Sequence, residues 1–147
     1  MKRTKLQAVC LLAATIFFSL KAHSQTTQTG MPLPGNNEII LEQFEWHNIP
    51  GKDTPKVAVR FTLRNLSGDK PIRSARFTLI AKDKNGVMLM EGGSALHQLS
   101  GQETITPGTS GTFSFPAAYT IRGVDQVVLK EVYVTFSNGS LSILKEL

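Results

Sequence analysis

The sequence has 147 residues, a formal net charge of +5 and a single cysteine, Cys10. All 11 acidic residues follow Ser24, whereas four of the 16 basic residues precede it, so the chain beyond Ser24 carries twelve bases, 11 acids and a net charge of +1. Its bases are interspersed with acids, which argues against nucleic-acid binding, because that function needs basic side chains gathered on one side of the molecule.

The first 24 residues are predicted to be a secretory signal. Three bases among the first five residues precede an apolar run, Ala8–Leu20, and the small residues of Ala-His-Ser follow before position 25. The run is shorter than the ~20 residues that a membrane-spanning helix needs. We therefore expect cleavage after Ser24 and an exported protein, periplasmic or extracellular, without a membrane span. Cys10 lies near the start of the run, so a lipid anchor is not expected there.

Residues 25–37 are polar and rich in Thr, Gly and Pro, which predicts a flexible tail, and the domain is expected to span residues 38–147. Apolar residues then alternate with polar ones, the pattern of a strand with one buried face. In two segments the residues predicted to face the core are Val57, Val59, Phe61, Leu63, Ala75, Phe77, Leu79 and Ala81. Further strand signals are Glu38–Trp46, Val87–Glu91, Gly111–Phe115, Val127–Ser137 and Ser140–Leu144.

Two Asn-Gly pairs predict tight hairpins, because Asn tolerates and Gly readily adopts the positive φ of a type I′ turn. Asn85-Gly86 is expected to return the chain into Val87–Glu91. Asn138-Gly139 is expected at the two central positions of a two-residue turn, although Asn-Gly-Ser is also a glycan acceptor pattern. Two longer loops are predicted, Gly92–Ser110 and Pro116–Gln126.

Seven strand signals in about 110 residues, with no helical periodicity after the signal, predict an antiparallel immunoglobulin-like β-sandwich of about seven strands. A parallel sheet would need crossover helices that the sequence does not encode.

Catalytic and metal-binding patterns are not evident beyond residue 24. His47 and His97 are the two histidines of this part, and neither has a second ligand at a metal-binding spacing. Strand alternation predicts opposite faces for Glu42 and Glu45, which argues against a carboxylate pair. Asp83–Gly86 resembles the start of a calcium loop but lacks the later ligands, so a turn is predicted. We expect no catalytic residue, metal site or cofactor.

Two aromatic residues are the candidate binding residues. Trp46 is predicted to end the first strand, and Tyr119 to lie in a loop, where both rings could stack on a sugar or anchor a protein partner. The alternative is a half-buried Trp46 that closes one end of the sandwich.

Several strand-and-turn features between Lys56 and Ser140 resemble the small exported immunoglobulin-like sandwich domains of bacteria, including FxLYD-type domains. The matching features are Asn65-Leu66-Ser67, Asp83–Gly86, Pro107-Gly108 and Phe113-Ser114-Phe115. The resemblance implies a non-catalytic exported binding or structural module, and it implies no site residues.

Two functions are therefore considered. The first is a non-enzymatic envelope or extracellular module that contacts another protein through its loops or an edge strand. The second is a carbohydrate-binding module that uses Trp46 and Tyr119.

Overall fold

The computed structural model describes residues 37–51 and 53–145, so the predicted signal and all but the last residue of the predicted tail lie outside the described residues. The described part contains strands and connecting turns, and it holds no helix long and apolar enough to cross a membrane. The strands are β1 (Ile39–Ile49), β2 (Lys56–Asn65), β3 (Ile72–Lys82), β4 (Leu96–Ile105), β5 (Ser110–Tyr119), β6 (Gln126–Phe136) and β7 (Leu141–Lys145).

The seven strands form two antiparallel sheets, one with the order β1-β2-β5 and one with the order β4-β3-β6-β7. This confirms the predicted fold class, an immunoglobulin-like β-sandwich. The fourth strand pairs with the third, whereas in the constant-type immunoglobulin domain it belongs to the sheet of the first strand. The larger sheet therefore presents four strands to solvent on its outer side.

The core lies between the sheets, where the inner faces of both bury aromatic rings. Phe61 on β2 stacks on Phe77 on β3 with ring centroids 3.9 Å apart, and Phe44 on β1 stacks on Phe61 at 5.1 Å. The alternation predicted for β2 and β3 is confirmed, since all eight residues assigned to the core are at most 3% exposed. Ring burial of this kind dominates the energetics of a core, at about 1.5–3 kcal/mol per large side chain.

The predicted loop Gly92–Ser110 is wrong, because most of it is strand β4. Its inward positions include His97 and Gly101, and its outward positions after Leu96 are polar, so the apolar alternation that marks a strand is weak. The glycine is needed where the two sheets approach each other: a Cβ atom at Gly101 would lie 2.6 Å from Cδ1 of Phe113 on β5.

Two other boundaries also differ from prediction. Val87–Glu91 is not a strand and forms only isolated bridges, Lys82 to Met88 and Glu91 to Ser94. The Leu89 amide still donates to the Ala81 carbonyl of β3, but pairing with β3 stops there because the chain then leaves the sheet. The predicted loop Pro116–Gln126 begins too early, since β5 continues to Tyr119. Proline is tolerated there because β5 is an edge strand with one side that needs no ladder hydrogen bond.

The hairpin between β6 and β7 is present, but its turn contains three residues and not two. The Gly139 amide donates to the Phe136 carbonyl at 3.0 Å, and the Phe136 amide donates to the Ser140 carbonyl at 2.9 Å. Gly139 has φ of +81°. A tight turn followed by a left-handed glycine is the common three-residue hairpin, and it uses the same Asn-Gly pair as the predicted two-residue form.

A buried asparagine joins the C-terminal ends of β2 and β4. The Asn65 side chain is fully buried and donates to the carbonyls of Lys70 at 2.8 Å and Ile105 at 2.9 Å. Its Oδ1 atom accepts from the Ser67 amide at 2.9 Å and the Ser67 hydroxyl at 2.7 Å. All four hydrogen-bonding positions of the amide are therefore used, and two connections are held against the end of the sandwich.

Candidate binding surface

Trp46 and Tyr119, the two candidate binding residues, belong to the core. Trp46 lies on β1 opposite Val59 and is 5% exposed, while Tyr119 ends β5 opposite Val57 and is 2% exposed. Neither ring therefore offers a face on which a sugar could stack. The alternation of each strand turns these side chains inward. The prediction that Tyr119 lies in a loop is wrong, because β5 continues to this residue.

A polar cluster surrounds the end of β5. Glu91 Oε1 accepts from the Thr120 amide at 2.8 Å and its hydroxyl at 2.7 Å, and Glu91 Oε2 lies 3.4 Å from His97 Nδ1. The His97 ring lies 4.6 Å from the Tyr119 ring. Burial, and secondarily the Glu91 carboxylate, raise the pKa of the Tyr119 hydroxyl. The cluster fastens the β3–β4 connection to the three-stranded sheet and leaves Tyr119 protonated.

The two histidines lie on different sheets. His47 is exposed near the end of β1, whereas His97 is half-buried on β4 and does not lie in a loop, as the predicted loop Gly92–Ser110 required. No group of three or more His, Cys, Asp or Glu side chains in residues 37–51 and 53–145 is placed to hold a metal ion.

A β-bulge changes the expected placement of Glu42 and Glu45. The register of β1 on β2 shifts between Leu41 and Gln43, so Glu42 and Gln43 both turn outward and Glu45 shares their face. Glu42 accepts from Ser110 at 2.7 Å, and Glu45 accepts from Gln43. The predicted opposite faces are wrong, because a bulge adds a residue to the alternation.

Asp83 takes part in a turn, as predicted. Its Oδ1 atom accepts from the Asn85 amide at 2.8 Å and the Val87 amide at 2.9 Å. These bonds, with Val87 the larger contributor, lower the pKa of the Asp83 carboxyl. The carboxylate is therefore engaged by the backbone.

The outer face of the four-stranded sheet is the broadest surface with a distinct chemistry. One row across β4, β3 and β6 is apolar and consists of Leu96, Ile80 and Val128, which are paired in register. Ile80 is only 8% exposed although it points away from the core, so its outward neighbours shield it. This end of the face is an apolar corner.

Four exposed apolar side chains belong to the β3–β4 connection and to the first residue of β4. Val87, Met88, Met90 and Leu96 are 54–64% exposed and account for four of the seven exposed large hydrophobic residues of the described chain. We call these four residues the loop patch. Met88 and Leu96 lie opposite Lys82 and Ile80, two residues apart on β3, so they are neighbours about 7 Å apart on one face.

The other end of the outer face holds an open groove of about 460 Å³. Tyr133 and Leu141 line it together with the polar side chains of Ser74, Gln102 and Thr135. The Arg76 guanidinium lies over the Tyr133 ring, 4.9 Å from its centroid. Tyr133 therefore places an aromatic ring on the outer face, where it could contact a ligand.

The sequence contained a signal for Tyr133 but little signal for the loop patch. Val132, Val134 and Phe136 alternate inward, which places Tyr133 outward on β6. The loop patch depends on the bridge at Met88, which the predicted Asn85-Gly86 hairpin includes, and on β4, which was not predicted. An exposed methionine in a connection has no periodic pattern that distinguishes it from a buried one.

The comparisons with known proteins add little to this description. No protein-family model and no curated protein matches the sequence. Among solved structures, the chain is similar to an X-ray structure, the Northeast Structural Genomics Consortium target SoR45. The two are 15% identical with a TM-score of 0.40, and the match covers 76% of this chain and 83% of that chain. Similarity of this size supports no functional inference.

Proposed function

We propose that the protein is an exported, non-catalytic β-sandwich module of the bacterial envelope or a surface assembly, which binds another protein through the loop patch. The observation that carries the proposal is the concentration of exposed apolar side chains between Val87 and Leu96. Isolated exposed apolar residues are ordinary, whereas a contiguous group marks an interaction site.

The chemistry of the loop patch suits a protein partner. Two of its residues, Met88 and Met90, have flexible and polarizable side chains that adapt to an apolar surface. Lysine side chains stand at its margin, since Lys130 lines a depression with Leu96, and Lys82 pairs with Met88. An apolar centre with a charged rim is the usual composition of a protein interface.

The support that holds the loop patch in place is also visible. Leu89, between the two methionines, packs against the core, and Glu91 accepts hydrogen bonds from Thr120, the residue after β5 of the other sheet. An interface held in this way loses little conformational entropy on binding.

The experiment is affinity capture from the source envelope with a matched pair of variants. Leu96→Asp places a charge in the loop patch, while Leu141→Asp makes the same change at a leucine of similar exposure, 63% against 55%, at the far end of the same sheet. We expect the parent and Leu141→Asp to retain the same partner, and Leu96→Asp to lose it at an unchanged melting temperature. Equal retention by both variants would reject the loop patch as the interface.

Carbohydrate binding remains the second candidate, supported by the groove at Tyr133 and its polar lining. It cannot use Trp46 or Tyr119 in the observed conformation, because both are buried. Glycan-array binding that disappears on Tyr133→Ala and persists in Leu96→Asp would favour it over a protein partner.

A further inference from the structure

The four edge strands of the sandwich differ in how they are protected against pairing with other chains. The edge strand β1 carries a bulge with outward glutamates, β5 contains Pro116, and β7 has only five residues and ends in Lys145. Bulges, proline, lysine and short length are the features by which sheets avoid edge-to-edge contact. Strand β4 has ten residues and contains no proline, lysine or arginine, and its register irregularity against β3 lies beyond Gln102, which leaves Leu96–Gln102 regular.

The backbone of β4 presents hydrogen-bonding groups away from β3. The Ala81 carbonyl points toward the β4 side, where it accepts from Leu89, and the Lys82 carbonyl points toward β6, where it accepts from Asp125. Backbone groups alternate in direction along a strand. The backbone groups of odd-numbered β3 residues therefore pair with those of odd-numbered β4 residues. The backbone groups of even-numbered β4 residues point away from β3, toward the open edge of the sheet.

Four residues between positions 96 and 102 direct their backbone groups toward this open edge. The amide and carbonyl of Leu96 are bonded by the Ser94 hydroxyl. The outward amides and carbonyls of Gln98, Ser100 and Gln102 have no hydrogen-bond partner within the described chain. These six groups form a template for one further antiparallel strand.

The sequence of β4 is complementary to itself about Ser100. In an antiparallel pair with a two-fold axis at Ser100, Gln98 lies opposite Gln102 of the second copy, and the outward face carries no like-charge pair. On the inward side, His97 lies opposite Glu103 of the second copy. These two are the ionisable side chains of the strand, and in this register neither lies opposite a side chain of like charge.

The inward centre of the same pairing is also compatible. Leu99 would lie opposite Gly101 of the second copy, where a side chain has no room because Phe113 occupies the space. Moving the axis by two residues in either direction shortens the overlap and separates His97 from Glu103. One register therefore pairs the backbone groups, avoids like charges and fits the packing together.

We propose that two copies of this chain associate by antiparallel pairing of their β4 strands about a two-fold axis at Ser100, which joins the two four-stranded sheets into one of eight strands. This inference does not depend on the proposed function. The contact is isologous and closes on itself, so it yields a dimer and not a fibre.

The test is the association state of the exported protein in sedimentation equilibrium over a range of micromolar concentrations. The parent is expected to show a monomer–dimer equilibrium. Ser100→Lys places two lysines opposite each other at the axis and is expected to raise the dimer dissociation constant at least about tenfold. Ser137→Lys, the same change at an exposed serine in the β6–β7 turn, should leave it unchanged.

A second measurement fixes the register. With Cys10 replaced by serine, Ser100→Cys places one cysteine on each side of the axis, where strand pairing brings the Cα atoms to about 5.5 Å, within disulfide range. Mild oxidation should link this variant into dimers much faster than Ser137→Cys. Three results would overturn the proposal: a parent that stays monomeric, a dimer that survives Ser100→Lys, or equal cross-linking of the two cysteine variants. The first of these is also the result expected if the edge of β4 pairs with a strand of another protein.

Discussion

The buried amide of Asn65 allows a stability prediction with an internal control. Asn65→Ala removes two donor and two acceptor interactions from a side chain that is fully buried. The bond to the Ile105 carbonyl and the bond from the Ser67 amide are buried at both ends. Each buried group left without a partner costs about 1–3 kcal/mol, so the expected loss is about 2–6 kcal/mol. Domains of this size have about 5–15 kcal/mol of stability.

Asn138 is the control, because its side-chain oxygen accepts an equivalent pair of bonds while its side chain is exposed. Its Oδ1 atom accepts from the Ser140 amide at 3.0 Å and the Ser140 hydroxyl at 2.7 Å, but the side chain is exposed at the tip of a hairpin. Water replaces the lost partner in Asn138→Ala, and the expected cost is about 0.5–1 kcal/mol.

Urea unfolding measures both variants, with unchanged m values required for a valid comparison. Asn65→Asp separates the two halves of the amide: it keeps the acceptor for Ser67 but places an oxygen against the carbonyls of Lys70 and Ile105. It should be at least as destabilising as Asn65→Ala. Losses for Asn65→Ala and Asn138→Ala that agree within about 1 kcal/mol would show that burial does not set the cost.

Three further predictions follow from single contacts. Gly139→Val should cost about 1–3 kcal/mol, because φ is +81° at this position, and a thermal melt equal to that of the parent would contradict the turn. Trp46→Ala should cost about 3–5 kcal/mol in urea unfolding, and loss of glycan binding at unchanged stability would contradict its place in the core. A hydrogen bond from Lys70, aided by its charge, lowers the pKa of Glu38 below the ordinary 4.5. Glu38 therefore contributes stability above pH 4.5 that is lost as the pH falls through the folded-state pKa, and Glu38→Gln should flatten this loss in acid unfolding curves.

The parts of the fold that sequence could predict are those with strong alternation. Val57 to Leu63 and Ala75 to Ala81 place one apolar residue at every second position, and the structure buries them as predicted. Strand β4 lacks this signal because its inward positions include His97 and Gly101 and its outward positions after Leu96 are polar. The predicted number of strands is correct although one predicted strand, Val87–Glu91, is replaced by β4.

The candidate surface was less accessible to sequence reasoning because it depends on irregular features. The bulge at Leu41–Gln43 brings Glu42 to the face of Glu45, and no periodic rule predicts where a bulge lies. Trp46 and Tyr119 were chosen for their chemistry, yet their strand positions turn both inward. The loop patch required knowing that Met88 and Leu96 meet beside β3.

Cross-linking in intact cells tests the central claim, that the loop patch binds another protein, most directly. A photoreactive residue is placed at Leu96 in one variant and at Leu141 in another, two exposed leucines at opposite ends of the outer face. The proposed function predicts one dominant adduct of a second protein from position 96 and none of that protein from position 141. Equal adducts from both positions, or none from position 96, would contradict it.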